Sequence, residues 1–179
     1  VSATKGADIA VIEGVMGLYD GVDGGDESST AHVARILDAP IILVADVKGM
    51  SRSCGALVSG YTGFDKSLRF AGAVLTKGGS ERHRSMVCSA LPIPVLGWIP
   101  RTEALAVESR HLGLLLAEED SRMKQTAELI EETCLLDEIL KAASAAPAVS
   151  AAADAEEKEP AFTLAAASDS AFCFSYADN

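Results

Sequence analysis

No run among the 179 residues approaches the roughly 18 consecutive apolar residues of a bilayer-spanning helix, and the start lacks the basic-then-apolar pattern of a secretory signal. No membrane partner is therefore expected. A basic excess is missing too: 15 Lys and Arg stand against 26 Asp and Glu, for a net charge of −11, so no general nucleic-acid surface is expected. Cysteine is scarce, and Cys54, Cys88, Cys134 and Cys173 lie 34, 46 and 39 residues apart with no Cys-x-x-Cys pair. That spacing argues against a zinc site or a disulfide framework and predicts buried or half-buried reduced thiols in a cytoplasmic protein. The chain also lacks an internal repeat, a serine, histidine and acid set that would make a hydrolase triad, and a glycine-rich phosphate loop ending in Gly-Lys-Thr or Gly-Lys-Ser. What it has is core: 49% of its residues are hydrophobic, enough for one folded domain plus a piece of another.

That apolar content is organised. Asp8 to Glu13, Pro40 to Asp46, Phe70 to Thr76 and Val95 to Ile99 are short runs rich in Val, Ile and Leu, the pattern of strands buried on both faces. Between them, Thr30 to Leu37, Ser51 to Tyr61 and Ser80 to Leu91 repeat apolar residues three or four apart, with Ser51 and Ser80 as N-cap candidates. Strand alternating with helix predicts an α/β fold with a mostly parallel sheet and right-handed crossovers. Glu118 to Ala142 reads as one longer helix whose apolar face carries Met123, Ala127, Ile130, Cys134, Leu135 and Ile139 or Leu140. Ala143 to Pro160 is Ala, Ser, Pro and acidic by composition, hence a linker. Phe162 to Ala167 then predicts the first strand of a second domain, with a helix from about Ala171.

The first apolar run leads straight into a loop with glycines at 14, 17 and 21 and carboxylates at Glu13 and Asp20. An acid at the carboxyl end of a strand sits where open α/β sheets bind ligands, and glycines allow close backbone approach. Carboxylate oxygen also suits Mg²⁺ beside phosphate. The alternative is a strand end followed by an Asp-Gly turn.

Read in order, Ile12-Glu-Gly-Val-Met-Gly-Leu-Tyr-Asp-Gly21, Ser29-Thr-Ala-His-Val-Ala34, Ile42-Leu-Val-Ala-Asp-Val-Lys-Gly-Met-Ser-Arg-Ser53, Gly79-Ser-Glu-Arg-His83 and Arg110-His-Leu-Gly-Leu114 resemble the cobyrinate a,c-diamide synthase family. The resemblance covers residues 7 to 116 and resumes over 161 to 179, which look like the opening of that family's glutamine amidotransferase domain. It implies a P-loop NTPase-like, dethiobiotin-synthetase-like ATP-binding domain, incomplete at its N-terminus, over residues 1–142. A linker over 143–160 and the start of the glutaminase domain over 161–179 would follow. On this reading the chain is an internal fragment, inactive alone, whose phosphate loop precedes Val1 and whose glutaminase residues follow Asn179.

Family members are understood to convert a substrate carboxylate into an acyl phosphate with ATP, and glutamine-derived ammonia then displaces phosphate. The implied partners are a tetrapyrrole (corrin) substrate and ammonia, with a homodimer as the candidate assembly. By position, Glu13 matches the acid assigned to Mg²⁺ in the nucleotide site. Asp20, with Tyr19 beside it, matches residues expected to hold the carboxylate edge of the macrocycle. Because an acid repels an acidic substrate, Asp20 is expected to orient through amide or water contacts. Arg52 lies at a helix start, where a guanidinium and the helix N-terminus both suit carboxylates; Lys48, Arg82, Arg101 and Arg110 are further cations at loops or helix starts. Thr76 stands where related enzymes carry an Asn that reads the base, and Pro100-Arg101 resembles a second base-proximal segment. His32 reads as a packing or surface residue, whereas His83 and His111 belong to family-like motifs without an assigned mechanism. Nickel-sirohydrochlorin and hydrogenobyrinate a,c-diamide synthases share these motifs, and a partitioning-type ATPase is the rival from another class.

Overall fold

A computed structural model describes residues 6–103, 122–148 and 165–167. Its elements run α1 (Thr30–Leu37), β1 (Ile41–Asp46), α2 (Arg52–Phe64), β2 (Phe70–Gly78), α3 (Glu81–Cys88), β3 (Val95–Pro100), α4 (Met123–Thr133) and α5 (Leu136–Ser144). The strands form one parallel sheet in the order β1-β2-β3, with α2 and α3 as the crossovers. This is the expected α/β alternation and fits a P-loop NTPase-like fold.

Strand residues alternate between two faces, and the alternation along β2 builds two cores. Ala73 and Leu75 join Val47, Cys54 and Val58 of the α2 side, Val87 of α3 and Trp98 of β3. Val74, between them, turns to the opposite face and meets Leu96, Ile99 and Cys134, backed by Leu129, Ile130 and Ile139. A third cluster lies at the amino edge of the sheet, where Ala31 and Ala34 of α1 pack with Leu68, Leu18, Tyr19 and the first residues of two strands, Ile41 and Phe70.

Four expectations are corrected. Asp8 to Glu13 is not a strand: it makes no backbone ladder, and Val11 and Ile12 are 90% and 58% exposed. An apolar run becomes a strand only when a neighbour accepts its hydrogen bonds, and among the described residues none does. For the same reason β1 is not buried on both faces, since it is an edge strand with Val44 exposed. Helix α3 stops at Cys88, ahead of Pro92 and Pro94, whose preceding residues disfavour helical backbone. The single helix expected over 118–142 is two among its described residues. Between α4 and α5, Cys134 leaves helical geometry to form an antiparallel bridge with Gly97, and the Leu135 amide donates to the Leu96 carbonyl at 2.7 Å. Sheet pairing thus outcompetes helix continuation. Gly97 makes it sterically feasible, because a Cβ there would fall 2.5 Å from the Cys134 sulfur. Of the predicted apolar face, Ile130, Cys134 and Ile139 pack on the sheet, while Met123, Leu135 and Leu140 are exposed.

Three thiols behave as expected: Cys54, Cys88 and Cys134 are free and buried or half-buried. Cys173, the Arg110-to-Leu114 motif with His111, and most of the linker and second-domain segments lie outside the described residues. No helix among the described residues is long and apolar enough to cross a membrane.

Candidate functional site at the carboxyl edge of the sheet

Because the three strands are parallel, their last residues Asp46, Thr76 to Gly78 and Pro100 share one edge, with the loops that follow. Ligands of open α/β sheets bind outside this carboxyl edge. Five of the sequence candidates belong to it or its loops: Thr76, Pro100, Arg101, Lys48 and Arg52, the first residue of α2. The Thr76 hydroxyl donates to the Ala45 carbonyl at 3.3 Å, and its carbonyl accepts from Val47. Pro100 has no amide hydrogen, and the Arg101 amide donates to the Gly78 carbonyl at 2.9 Å, so the second segment is tied to the first. Arg52 is exposed and borders an open groove between α2 and α3 that also takes in Ser51, Ser59, Met86 and Ser89.

The edge also holds an ion pair that sequence reasoning passed over. Lys77 Nζ lies 2.6 Å from Asp46 Oδ2, and Asp46 Oδ1 accepts the Lys48 amide at 2.9 Å. The Lys77 ammonium, then the Lys48 amide, hold the Asp46 carboxyl below its ordinary range. Lys77 has φ +55°, a left-handed conformation that a side chain adopts at a cost of about 1 kcal/mol or more. The strand pairing is irregular at the same place. The β2–β3 register shifts between Leu75 and Gly78, and Gly78 lies so close to Trp98 that a Cβ would come within 2.3 Å of the indole. A carboxylate closing an apolar strand run was the sequence signal for Asp46, the same signal that singled out Glu13.

The glycine loop is built differently. Asp20 is exposed, its amide donates to the Gly17 carbonyl, and its carboxylate leans over Gly17, where a Cβ would fall 2.0 Å from Oδ2. Glu13 is exposed as well, and the next residue, Gly14, packs on Thr30 at the start of α1. Tyr19 is half-buried: its hydroxyl donates to the Tyr61 carbonyl at 2.5 Å, and its ring lies 4.7 Å from that of Phe64. Burial raises the pKa of that hydroxyl. Tyr61 is about 14 Å along α2 from Arg52, at 1.5 Å per residue, so Tyr19 and Arg52 attach to opposite ends of one helix. Arg35 braces the far side of the loop by pairing with Asp26 and Asp65, each at 2.8 Å. The structure therefore groups Arg52, Thr76, Pro100 and Arg101 and sets Tyr19 apart. Among the described residues no hydrogen bond or ion pair links Glu13 or Asp20 to that group.

No cluster of three or more His, Cys, Asp or Glu side chains among the described residues is placed to hold a metal. Glu13 offers one exposed carboxylate, which fits Mg²⁺, an ion that takes most of its ligands from phosphate and water.

Comparison with known proteins agrees with this architecture. Residues 1–109 match the model of the AAA domain family. The hydrogenobyrinate a,c-diamide synthase of Thermobifida fusca is 50% identical over 135 residues, covering 73% of this chain and 28% of that protein. The cobyrinate a,c-diamide synthases of Picrophilus torridus and Syntrophotalea carbinolica are 38% and 40% identical, over 100% and 99% of this chain and 43% and 41% of theirs. The chain thus spans less than half the length of these curated relatives. No solved structure matches it. With a family model covering more than half its residues and a parallel sheet to match, the chain belongs to the AAA domain family, and its relatives include cobyrinate and hydrogenobyrinate a,c-diamide synthases.

Proposed function

We propose that this chain is part of an ATP- and glutamine-dependent ligase that amidates the a- and c-carboxylates of cobyrinate in cobalamin biosynthesis. The observation that carries the reading is the alignment of nearly the whole chain with cobyrinate a,c-diamide synthases. Residues 1–142 would belong to the synthetase domain, 143–160 to a linker and 161–179 to the glutaminase domain.

A carboxylate resists ammonia because its oxygen leaves poorly and its charge repels nucleophiles. ATP supplies the phosphoryl group that turns that oxygen into a leaving group, and ammonia from glutamine then takes its place. The residues named here bind and orient. Glu13 provides one carboxylate to Mg²⁺ at the nucleotide. Thr76, Pro100 and Arg101 line the edge assigned to the base; the Thr76 hydroxyl, which already donates to Ala45, keeps acceptor capacity for a base amino group. Arg52 meets the carboxylates of the macrocycle. Asp20 orients that substrate through amide or water contacts, and Tyr19, whose hydroxyl is committed to Tyr61, fixes the loop beside it.

Glu13→Gln in the complete enzyme tests the assignment. ATP-dependent amidation should be lost while glutamine hydrolysis persists, and unchanged turnover would overturn the role of Glu13. The 50% identity to a hydrogenobyrinate synthase supports a second reading in which hydrogenobyrinate is the substrate. Offering the two macrocycles separately and comparing kcat/KM decides between them.

A further inference from the structure

Two histidines in this chain make the same local structure, and only one of them does something more. Each occupies the third position of a helix that opens with a capping serine. Ser29 Oγ accepts the His32 amide at 3.0 Å while His32 Nδ1 accepts the Ser28 amide at 3.0 Å. Ser80 Oγ accepts the His83 amide at 3.3 Å while His83 Nδ1 accepts the Gly79 amide at 3.0 Å. This is a reciprocal cap in which histidine takes the place usually held by Glu or Gln and reaches one residue further back. Capping accounts for His32 completely.

It does not account for the other nitrogen of His83. With Nδ1 accepting, Nε2 carries the ring proton, and it donates to the Met50 carbonyl at 2.7 Å, 33 residues away in the β1–α2 loop. The ring is held edge-on to Trp98, with centroids 5.3 Å apart. Met50 closes a turn in which Gly49 takes φ +72° and the Met50 amide donates to the Val47 carbonyl. Met50 also immediately precedes Ser51, the residue before α2, whose side chain makes no capping hydrogen bond. The entry to α2 therefore lacks the device that opens α1 and α3. A histidine from the first turn of α3 anchors it instead.

We propose that His83 is a positioning residue: it fixes the start of α2, and with it Arg52, against the β2 exit loop, and so sets the grip of Arg52 on the anionic substrate. The functional half rests on the reading of Arg52 as a carboxylate contact given above.

The two bonds can be removed separately in the complete enzyme. His83→Asn keeps an acceptor for Gly79 and loses the donor to Met50. His83→Gln keeps a donor that reaches Met50 and gives up the Gly79 bond. His32→Asn controls for capping. Losing a hydrogen bond worth about 1 kcal/mol should raise the KM for the corrin substrate about fivefold in His83→Asn, with the KM for ATP unchanged. His83→Gln should restore the corrin KM to near wild type, and His32→Asn should alter neither KM. Equal changes in both KM values, equal effects of Asn and Gln at position 83, or an unaltered corrin KM would overturn the proposal. If the wild-type enzyme amidates neither macrocycle, the proposed function fails, and amide hydrogen exchange at Met50 to Ser53 still tests the positioning. Faster exchange in His83→Asn than in His83→Gln supports the anchor, and equal exchange in the two refutes it.

Discussion

Two glycines in α2, Gly55 and Gly60, should respond to alanine with opposite signs. Helix propensity treats them alike, since alanine is favoured over glycine in a helix interior by about 1 kcal/mol. Their surroundings differ. A Cβ at Gly60 meets nothing within 4 Å, so Gly60→Ala should keep the propensity gain. A Cβ at Gly55 falls 2.3 Å from the Ala90 carbonyl oxygen and 2.9 Å from its carbon. Ordinary contact is about 3.4 Å, so the overlap is about 1.1 Å against backbone that no rotamer change can clear. Overpacking of this kind costs about 1–3 kcal/mol, and a backbone obstacle places Gly55→Ala toward the upper end. After the propensity gain is subtracted, a net loss of about 1–2 kcal/mol remains. For a chain of this size each kcal/mol moves the melting midpoint by about 2–4 °C. Gly60→Ala should therefore melt a few degrees above wild type and Gly55→Ala a few degrees below it. Thermal melts followed by far-UV circular dichroism, with urea midpoints alongside, measure both. Two shifts of the same sign would refute the argument that the close approach of α2 to the end of α3 is what fixes glycine at position 55.

Acid should loosen the clamp behind the glycine loop. Hydrogen bonds from Ser67, then from Arg35, hold the Asp65 carboxyl at about 2 against an ordinary 3.8, and Arg35 holds Asp26 low as well. Both pKa values are depressed on folding, so their stabilisation is complete above the unfolded value and is lost as pH falls through 3.8 toward about 2. Arg35→Met should flatten the fall of melting midpoint across that window, and an unchanged slope would count against the clamp. Cys54 is fully buried, and burial, with Cys88 nearby, pushes its thiol pKa up. It should resist thiol reagents in native protein while Cys88, half-buried, reacts; mass mapping of the labelled cysteines reads this directly.

The sequence by itself determined the alternation of strand and helix, because a short continuous apolar run against apolar residues three or four apart is a local property of the chain. Thr30–Leu37 was legible to the residue, and β1 to β3 to within two, since apolar runs and flanking turn residues mark both ends. Ordered motifs likewise pointed to the diamide synthase relatives. Neighbours decided the rest. Asp8 to Glu13 has the composition of a strand, but a ladder needs a second chain segment that composition cannot report. Cys134 left a helical pattern because Gly97 offered it a sheet partner. Ser51 looked like a cap and is not one, while the anchor for that helix came from His83, in the first turn of α3. Lys77 pairs with Asp46 from a left-handed backbone beside a register shift that no local pattern marks. Local pattern marks where an element can form, whereas the partner that completes a strand, the register, the ion pairs and the loop anchors arise from contacts between residues distant in sequence, and these came from the tertiary structure alone.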